Sequence, residues 1–126
     1  MKILLIKMSS MGDLFHTFPA LTDLKAHYPD VEIDWLVEES FAEIAAWHPA
    51  VRRVVPVNLR QWVKQKRRQD LQAFKAWRRE LQQEHYDVAL DAQGLLKSAV
   101  ITRLADAKVR HGYDRDSARE AIASWF

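Results

Sequence analysis

The sequence predicts an α/β domain: a parallel sheet with helices on both faces. Three observations predict it. Short apolar runs bounded by polar turns recur along the chain, as buried parallel strands do. Segments of helical periodicity separate these runs. The chain has 126 residues, 48% of them apolar, with only three Gly and four Pro. That suffices for one domain, 1–126, with a real core, since a domain this size buries roughly two-thirds of the surface of its unfolded chain.

Taken in order, "ILLI" (Ile3 to Ile6) reads as the first strand. Leu14, Phe18, Leu21 and Leu24 then recur at helical spacing, with Pro19 either kinking that helix or marking a restart. "EIDWLV" (Glu32 to Val37) is the second strand. "EESFAEIAAW" offers Ser40 as N-cap and Glu43 three residues later, a capping-box pattern opening a short helix. "RVVPV" (Arg53 to Val57) is the third strand, and its proline favours an edge position. Gln61 to Glu84 reads as one long charged helix with Trp62, Leu71, Phe74, Trp77 and Leu81 facing inward. "DVALD" (Asp87 to Asp91) is the fourth strand, and "LLKSAVITRLA" the helix after it. "KVRHGY" supplies a short fifth strand, and "SAREAIASWF" a closing helix capped by Ser117.

If the chain returns after its first crossovers to lay strand four beside strand one, the strand order is 3-2-1-4-5. Ligands of such sheets bind at the carboxyl ends of the strands, where the order reverses. The loops after Ile6 and Asp91 then flank one crevice.

Composition narrows the function classes. There is no cysteine, hence no disulfide framework, thiolate nucleophile or Cys-based zinc site. "MKILLIKM" is too short in its apolar part for a signal peptide, and no stretch approaches the roughly 20 apolar residues of a spanning helix. A cytoplasmic location is expected. The net charge of +2 conceals a basic window: Arg60, Lys64, Lys66, Arg67, Arg68, Lys75, Arg78 and Arg79 against Asp70 alone. Such a cluster on an otherwise mildly acidic chain implies an anionic partner, whether nucleic acid, phosphorylated small molecules or anionic lipid headgroups.

Two loops could carry chemistry. Ser9, Ser10, Met11, Gly12 and Asp13 fill the first strand-to-helix turn, where backbone N–H groups favour anions or polar ligands. The stretch has neither G-x-G-x-x-G nor P-loop spacing. Ser10 and Asp13 also fit a capping box, so spacing alone favours a structural role for Asp13. Asp91, Ala92, Gln93 and Gly94 end strand four, with Lys97 just inside the next helix; alone they read as a strand-to-helix loop, and beside the first loop as its second wall. Arg60 and Lys64 lie one helical turn apart beyond strand three, a suitable clamp for phosphates or carboxylates. The five histidines (16, 27, 48, 85, 111) lack metal-ligand spacing, and the tryptophans read as core and rim packing.

Together "KMSSMGDLFHTFPALTDL", "DWLVEESFAEI", "WHPAVRRVVPV", "YDVALDAQGLLKSA" and "HGYDRDSARE" resemble the N-terminal half of the ADP-heptose:lipopolysaccharide heptosyltransferases, over nearly the whole chain. The resemblance implies a Rossmann-like domain forming the N-terminal half of a glycosyltransferase-B fold, with the ADP-heptose-binding C-terminal domain absent from this chain. It implies an inverting enzyme without a metal or other cofactor, moving L-glycero-D-manno-heptose from ADP-heptose to the Kdo of lipid A at the cytoplasmic face of the inner membrane. The S-x-G-D turn matches Ser10, Gly12 and Asp13, which makes Asp13 the implied general base. The family's basic acceptor clamp matches Arg60, Lys64, Lys97 and Arg119. Gln61 and Val63 stand where the family can carry further arginines, which implies a clamp weaker or differently shaped. The alternatives are another heptosyltransferase of the same family, and a non-catalytic α/β module that binds nucleic acid or another polyanion through the basic helix. Binding of that last kind would fall steeply with salt.

Overall fold

A computed structural model describes residues 1–8, 11–58, 61–62, 67–92 and 105–111, with Val109 and His111 as backbone only. Five parallel strands form one sheet: β1 (Lys2–Ile6), β2 (Glu32–Glu38), β3 (Val51–Val57), β4 (Tyr86–Asp91) and β5 (Ala107–His111). Their spatial order is β3-β2-β1-β4-β5, the order expected from the sequence. Pro56 lies in β3 on the sheet edge, where a missing N–H costs no ladder bond on the solvent side.

Alternation along the strands sorts the core into two layers. Leu4, Ile6, Leu36, Val55, Val57, Tyr86 and Ala89 pack on one face with Trp77 and Leu81, which lie on α3 (Arg68–Gln83). Ile3, Leu5, Ile33, Trp35, Val37 and Val88 pack on the other with Leu14 and Leu21, which lie on α1 (Met11–His27). The helices therefore cover both faces. The central strand β1 is buried on each side, which is why its sequence is continuously apolar.

The local structure departs from the sequence reading in four places. Helix α1 runs through Pro19 without a restart. The bond forfeited by the missing N–H leaves the carbonyl of exposed Phe15 to solvent. Next to it, His48 ties the helix down. Its Nδ1 accepts from the Ala50 N–H at 3.0 Å, so its proton sits on Nε2, facing the Phe18 carbonyl at 3.1 Å and Thr22 Oγ1 at 2.8 Å.

Ser40 does not cap a helix. It sits inside a 3₁₀ turn, Glu39–Phe41, and Phe41 is the N-cap of the short α2 (Ala42–Ala45), without a side-chain cap bond. The predicted single helix from Gln61 to Glu84 is broken. Gln61 and Trp62 are helical, but Arg67 is extended (ψ 156°) and serves as N-cap of α3.

Leu71 is 49% exposed and not inward-facing. Its neighbour Asp70 is buried instead, held by Arg67 Nε at 2.8 Å, and the Arg67 hydrogen bond keeps that carboxyl below its ordinary pKa. Trp35 and Trp77 are buried as core, whereas Trp47 is 60% exposed and meets the Phe15 ring at 6.2 Å, tilted by 41°. The helices expected over "LLKSAVITRLA" and "SAREAIASWF" lie outside the described residues.

Candidate functional site

The crevice begins where β1 ends. Ile6 pairs with Leu36 of β2 on one side and Asp91 of β4 on the other, so β1 and β4 finish at the same level and β2 runs two residues further, to Glu38. The Ala92 N–H donates to the Ile6 carbonyl at 2.9 Å and the Lys7 N–H to the Leu36 carbonyl at 3.2 Å. The Glu38 N–H donates to the Met8 carbonyl at 3.1 Å. Below them the indole Nε1–H of Trp35 donates to the Lys7 carbonyl at 3.0 Å. The loops after β1 and β4 are thus adjacent at the switch point, as the strand order requires.

Asp13 is exposed in the first turn of α1. Thr17 Oγ1 donates to the Asp13 carbonyl at 2.8 Å, one turn on. A Cβ built on Gly12 would meet no atom within 4 Å. Among the described residues, none crowds the helix start at this point. Asp91 closes the other side and is only 6% exposed.

Of the predicted site residues, the structure describes Gly12 and Asp13. Ser9, Ser10, Arg60, Lys64, Gln93, Gly94, Lys97 and Arg119 lie outside the described residues. The flanks of Arg60 are described. Asn58, just past β3, accepts the Gln61 N–H on Oδ1 at 3.3 Å, and its Nδ2 donates to Glu39 Oε2 at 3.1 Å and Gln61 Oε1 at 2.8 Å. The exits of β2 and β3 are joined by these bonds at the same edge of the sheet. Trp62 packs 5.7 Å from the Trp77 ring and 6.1 Å from Phe74.

Sequence reading missed two groups. The first is Lys7, whose ammonium reaches the Ala92 carbonyl across the crevice at 3.1 Å; its position one residue past an apolar strand was the available signal. The second is an ionic network at the amino ends of the strands. Asp34 is fully buried, receives Arg52 through Nε at 2.8 Å and Nη2 at 2.6 Å, and accepts the Tyr86 hydroxyl at 2.6 Å. Glu84 takes Lys2 Nζ at 2.9 Å and Arg52 Nη2 at 3.2 Å. The hydrogen bonds from Lys2 and Arg52 lower the Glu84 pKa to about 2. Burial, reinforced by the bond to Asp34, pushes the Tyr86 phenol well above its ordinary value and keeps it a donor. Asp34 between apolar residues of "EIDWLV", with "RR" (Arg52, Arg53) opening the third strand, was the signal for this group. It lies at the opposite end of the sheet from Asp13 and is a clasp of the fold.

Known proteins extend these observations. A family model for glycosyltransferase family 9 (heptosyltransferase) matches residues 74–126. Lipopolysaccharide heptosyltransferase 1 of Escherichia coli K12 is 52% identical over 128 residues, covering all of this chain and 40% of that protein. The protein of the same name from Pseudomonas aeruginosa is 51% identical over 131 residues, covering all of this chain and 36% of its own length. The chain thus spans about two-fifths of the length of the curated relatives it matches. Among solved structures, E. coli heptosyltransferase WaaC with ADP-2-deoxy-2-fluoro heptose superposes with a TM-score of 0.83 at 49% identity, over 99% of this chain and 40% of that one. E. coli ADP-heptose lps heptosyltransferase II superposes at 0.69 with 24% identity over 89% of this chain and 30% of that one, a likeness of fold alone. The heptosyltransferase reading is favoured over the nucleic-acid module.

Proposed function

We propose, from the premise that this chain belongs with the glycosyltransferase family 9 heptosyltransferases, that it forms the acceptor-side, N-terminal domain of an inverting ADP-heptose transferase acting on the Kdo of lipid A. One observation carries the reading: identity of 52% to a lipopolysaccharide heptosyltransferase 1 along the whole chain. The geometry is compatible with it, because an exposed carboxylate at a helix start beside the switch-point crevice suits a base that meets a sugar hydroxyl.

In this reaction an oxygen of the acceptor Kdo forms a bond to the anomeric carbon of the heptose. The bond from that carbon to the diphosphate oxygen breaks on the opposite face, and ADP departs with its electron pair. The hydroxyl proton passes to the Asp13 carboxylate. Arg60, Lys64, Lys97 and Arg119 grip acceptor carboxylates and phosphates through charge-assisted hydrogen bonds. A C-terminal domain outside this chain holds ADP-heptose, and neither a metal nor another cofactor takes part. The enzyme works in the cytoplasm, peripheral on the inner membrane where its lipid acceptor lies. No described helix is long and apolar enough to cross a membrane.

The test is Asp13→Asn in the whole protein. Loss of a general base costs about 10²–10⁴-fold in rate, and because Asp13 is exposed the variant should melt at the wild-type temperature. Heptose transfer at a near-normal rate by a folded Asp13→Asn protein would remove Asp13 from this role.

A further inference from the structure

Lys7 is the first residue beyond β1, and it is held at both ends. Its main chain is fixed to β2: the N–H donates to the Leu36 carbonyl at 3.2 Å, and the carbonyl accepts the indole N–H of fully buried Trp35 at 3.0 Å. Its head group crosses to the other neighbour of β1 and donates to the Ala92 carbonyl at 3.1 Å. The side chain is half-buried. Among the described residues its ammonium meets this carbonyl and no carboxylate within ion-pair distance. A flexible, strongly hydrated cation is a costly choice for a part-buried contact that an apolar side chain could replace, unless the bond it makes fixes something.

What it fixes is the exit of β4 at Ala92, where the loop read from the sequence as the second wall begins. Ala92 is the last described residue before Gln93 and Gly94. Its N–H is bonded to the Ile6 carbonyl at 2.9 Å, and its carbonyl to the Lys7 ammonium. Both polar groups of that peptide unit pair therefore depend on the strand that leads into Asp13. We propose that Lys7 is a positioning residue of the site: through the Ala92 carbonyl it sets the distance and tilt of the β4 exit relative to the helix start bearing Asp13. It acts through that loop and is not a catalytic residue. The proposal rests on the heptosyltransferase reading above, since acceptor binding is what the wall serves.

The experiment uses the whole protein with Lys7→Met, which keeps an unbranched stem and removes the donor, and Lys7→Arg, which restores a charged donor. Loss of a charge-assisted bond at a wall should raise the acceptor KM about tenfold in Lys7→Met, with the KM for ADP-heptose unchanged. Lys7→Arg should recover most of that loss. In parallel, amide hydrogen exchange at Ala92 should speed up about tenfold in Lys7→Met and return toward wild type in Lys7→Arg. An acceptor KM within twofold of wild type in a folded Lys7→Met protein overturns the proposal, as does unchanged exchange at Ala92. A lower melting temperature with unaltered KM also overturns it, as a structural role only. If the wild-type protein itself transfers no heptose, the functional reading falls, while the exchange arm still reports whether Lys7 holds the loop.

Discussion

Glu84 shows how much a single side chain can be asked to do at the end of a sheet. It is not in a strand, yet it accepts from Lys2 of β1 and from Arg52 of β3, the third and first strands counted from that edge, with β2 between them. Its carboxyl titrates near 4.5 when free and near 2 in the fold, chiefly because the Lys2 ammonium hydrogen-bonds its charged form and Arg52 does the same. A lowered folded-state value means that its contribution is whole above about pH 4.5 and fades as pH falls toward 2. Urea midpoints followed from pH 6 to pH 2 should therefore fall more steeply for wild type than for Glu84→Gln, and the two curves should meet near pH 2. Parallel curves across that range would show that the clasp contributes nothing to pH-dependent stability. The part that Glu84 plays was not legible beforehand. Glu84 stands in a run of charged residues, "RRELQQE", where nothing in the spacing separates a clasp from a solvated helix face. The first-turn position of Asp13 was legible from a polar turn after an apolar strand, whereas its role as a base is implied by the family resemblance alone.

Helix α3 shows the same limit one scale up. Its inner face is Asp70, Phe74, Trp77 and Leu81, an i, i+4, i+7, i+11 stripe in which the first position is an acid. Reading for apolar residues alone puts Leu71 in that place. The acid is admitted because Arg67, folded back as N-cap, meets its carboxylate, and the Arg67 N–H accompanies that side-chain bond at 3.3 Å. Arginine is not a usual cap, so the break ahead of α3 leaves no signature in the sequence, and Gln61 to Glu84 reads as one helix. The strands were far more legible, and all five fall in the expected order: the central β1 is apolar throughout because it is buried on both faces, whereas the edge strands β3 and β5 carry charged residues and were marked more by their place between helices. The helix assignment makes a direct comparison possible. Leu81→Ala empties a site that is 1% exposed and should cost about 2–5 kcal/mol. Leu71→Ala, on the solvent side, should stay within about 0.5 kcal/mol of wild type. Equal losses measured by denaturant titration would mean that α3 is rotated from the arrangement described here.

At the scale of the molecule, the sheet divides its tasks between its two ends. The amino ends hold Asp34, Arg52, Tyr86 and Glu84 in bonds that use most of their polar atoms. The carboxyl ends hold the helix start that bears Asp13 and the described starts of two loops, joined from Lys7 Nζ to the Ala92 carbonyl. Five strands of shared core lie between them, and no described bond links the two groups of side chains. Residues so far apart without shared partners act additively. Tyr86→Phe removes the hydroxyl donor from fully buried Asp34, and loss of a hydrogen bond to a charged group should cost about 1.5–3 kcal/mol of stability. At a temperature where the variant stays folded, its heptose-transfer rate in the whole protein should match wild type. Asp13→Asn should do the reverse, abolishing transfer at unchanged stability. The double variant should then show the stability of the first and the activity of the second, each within about 0.5 kcal/mol of the sum of the single effects. A Tyr86→Phe protein that is stable but slow would mean that the clasp reaches the crevice through the strands, and the division between the ends of the sheet would have to be given up.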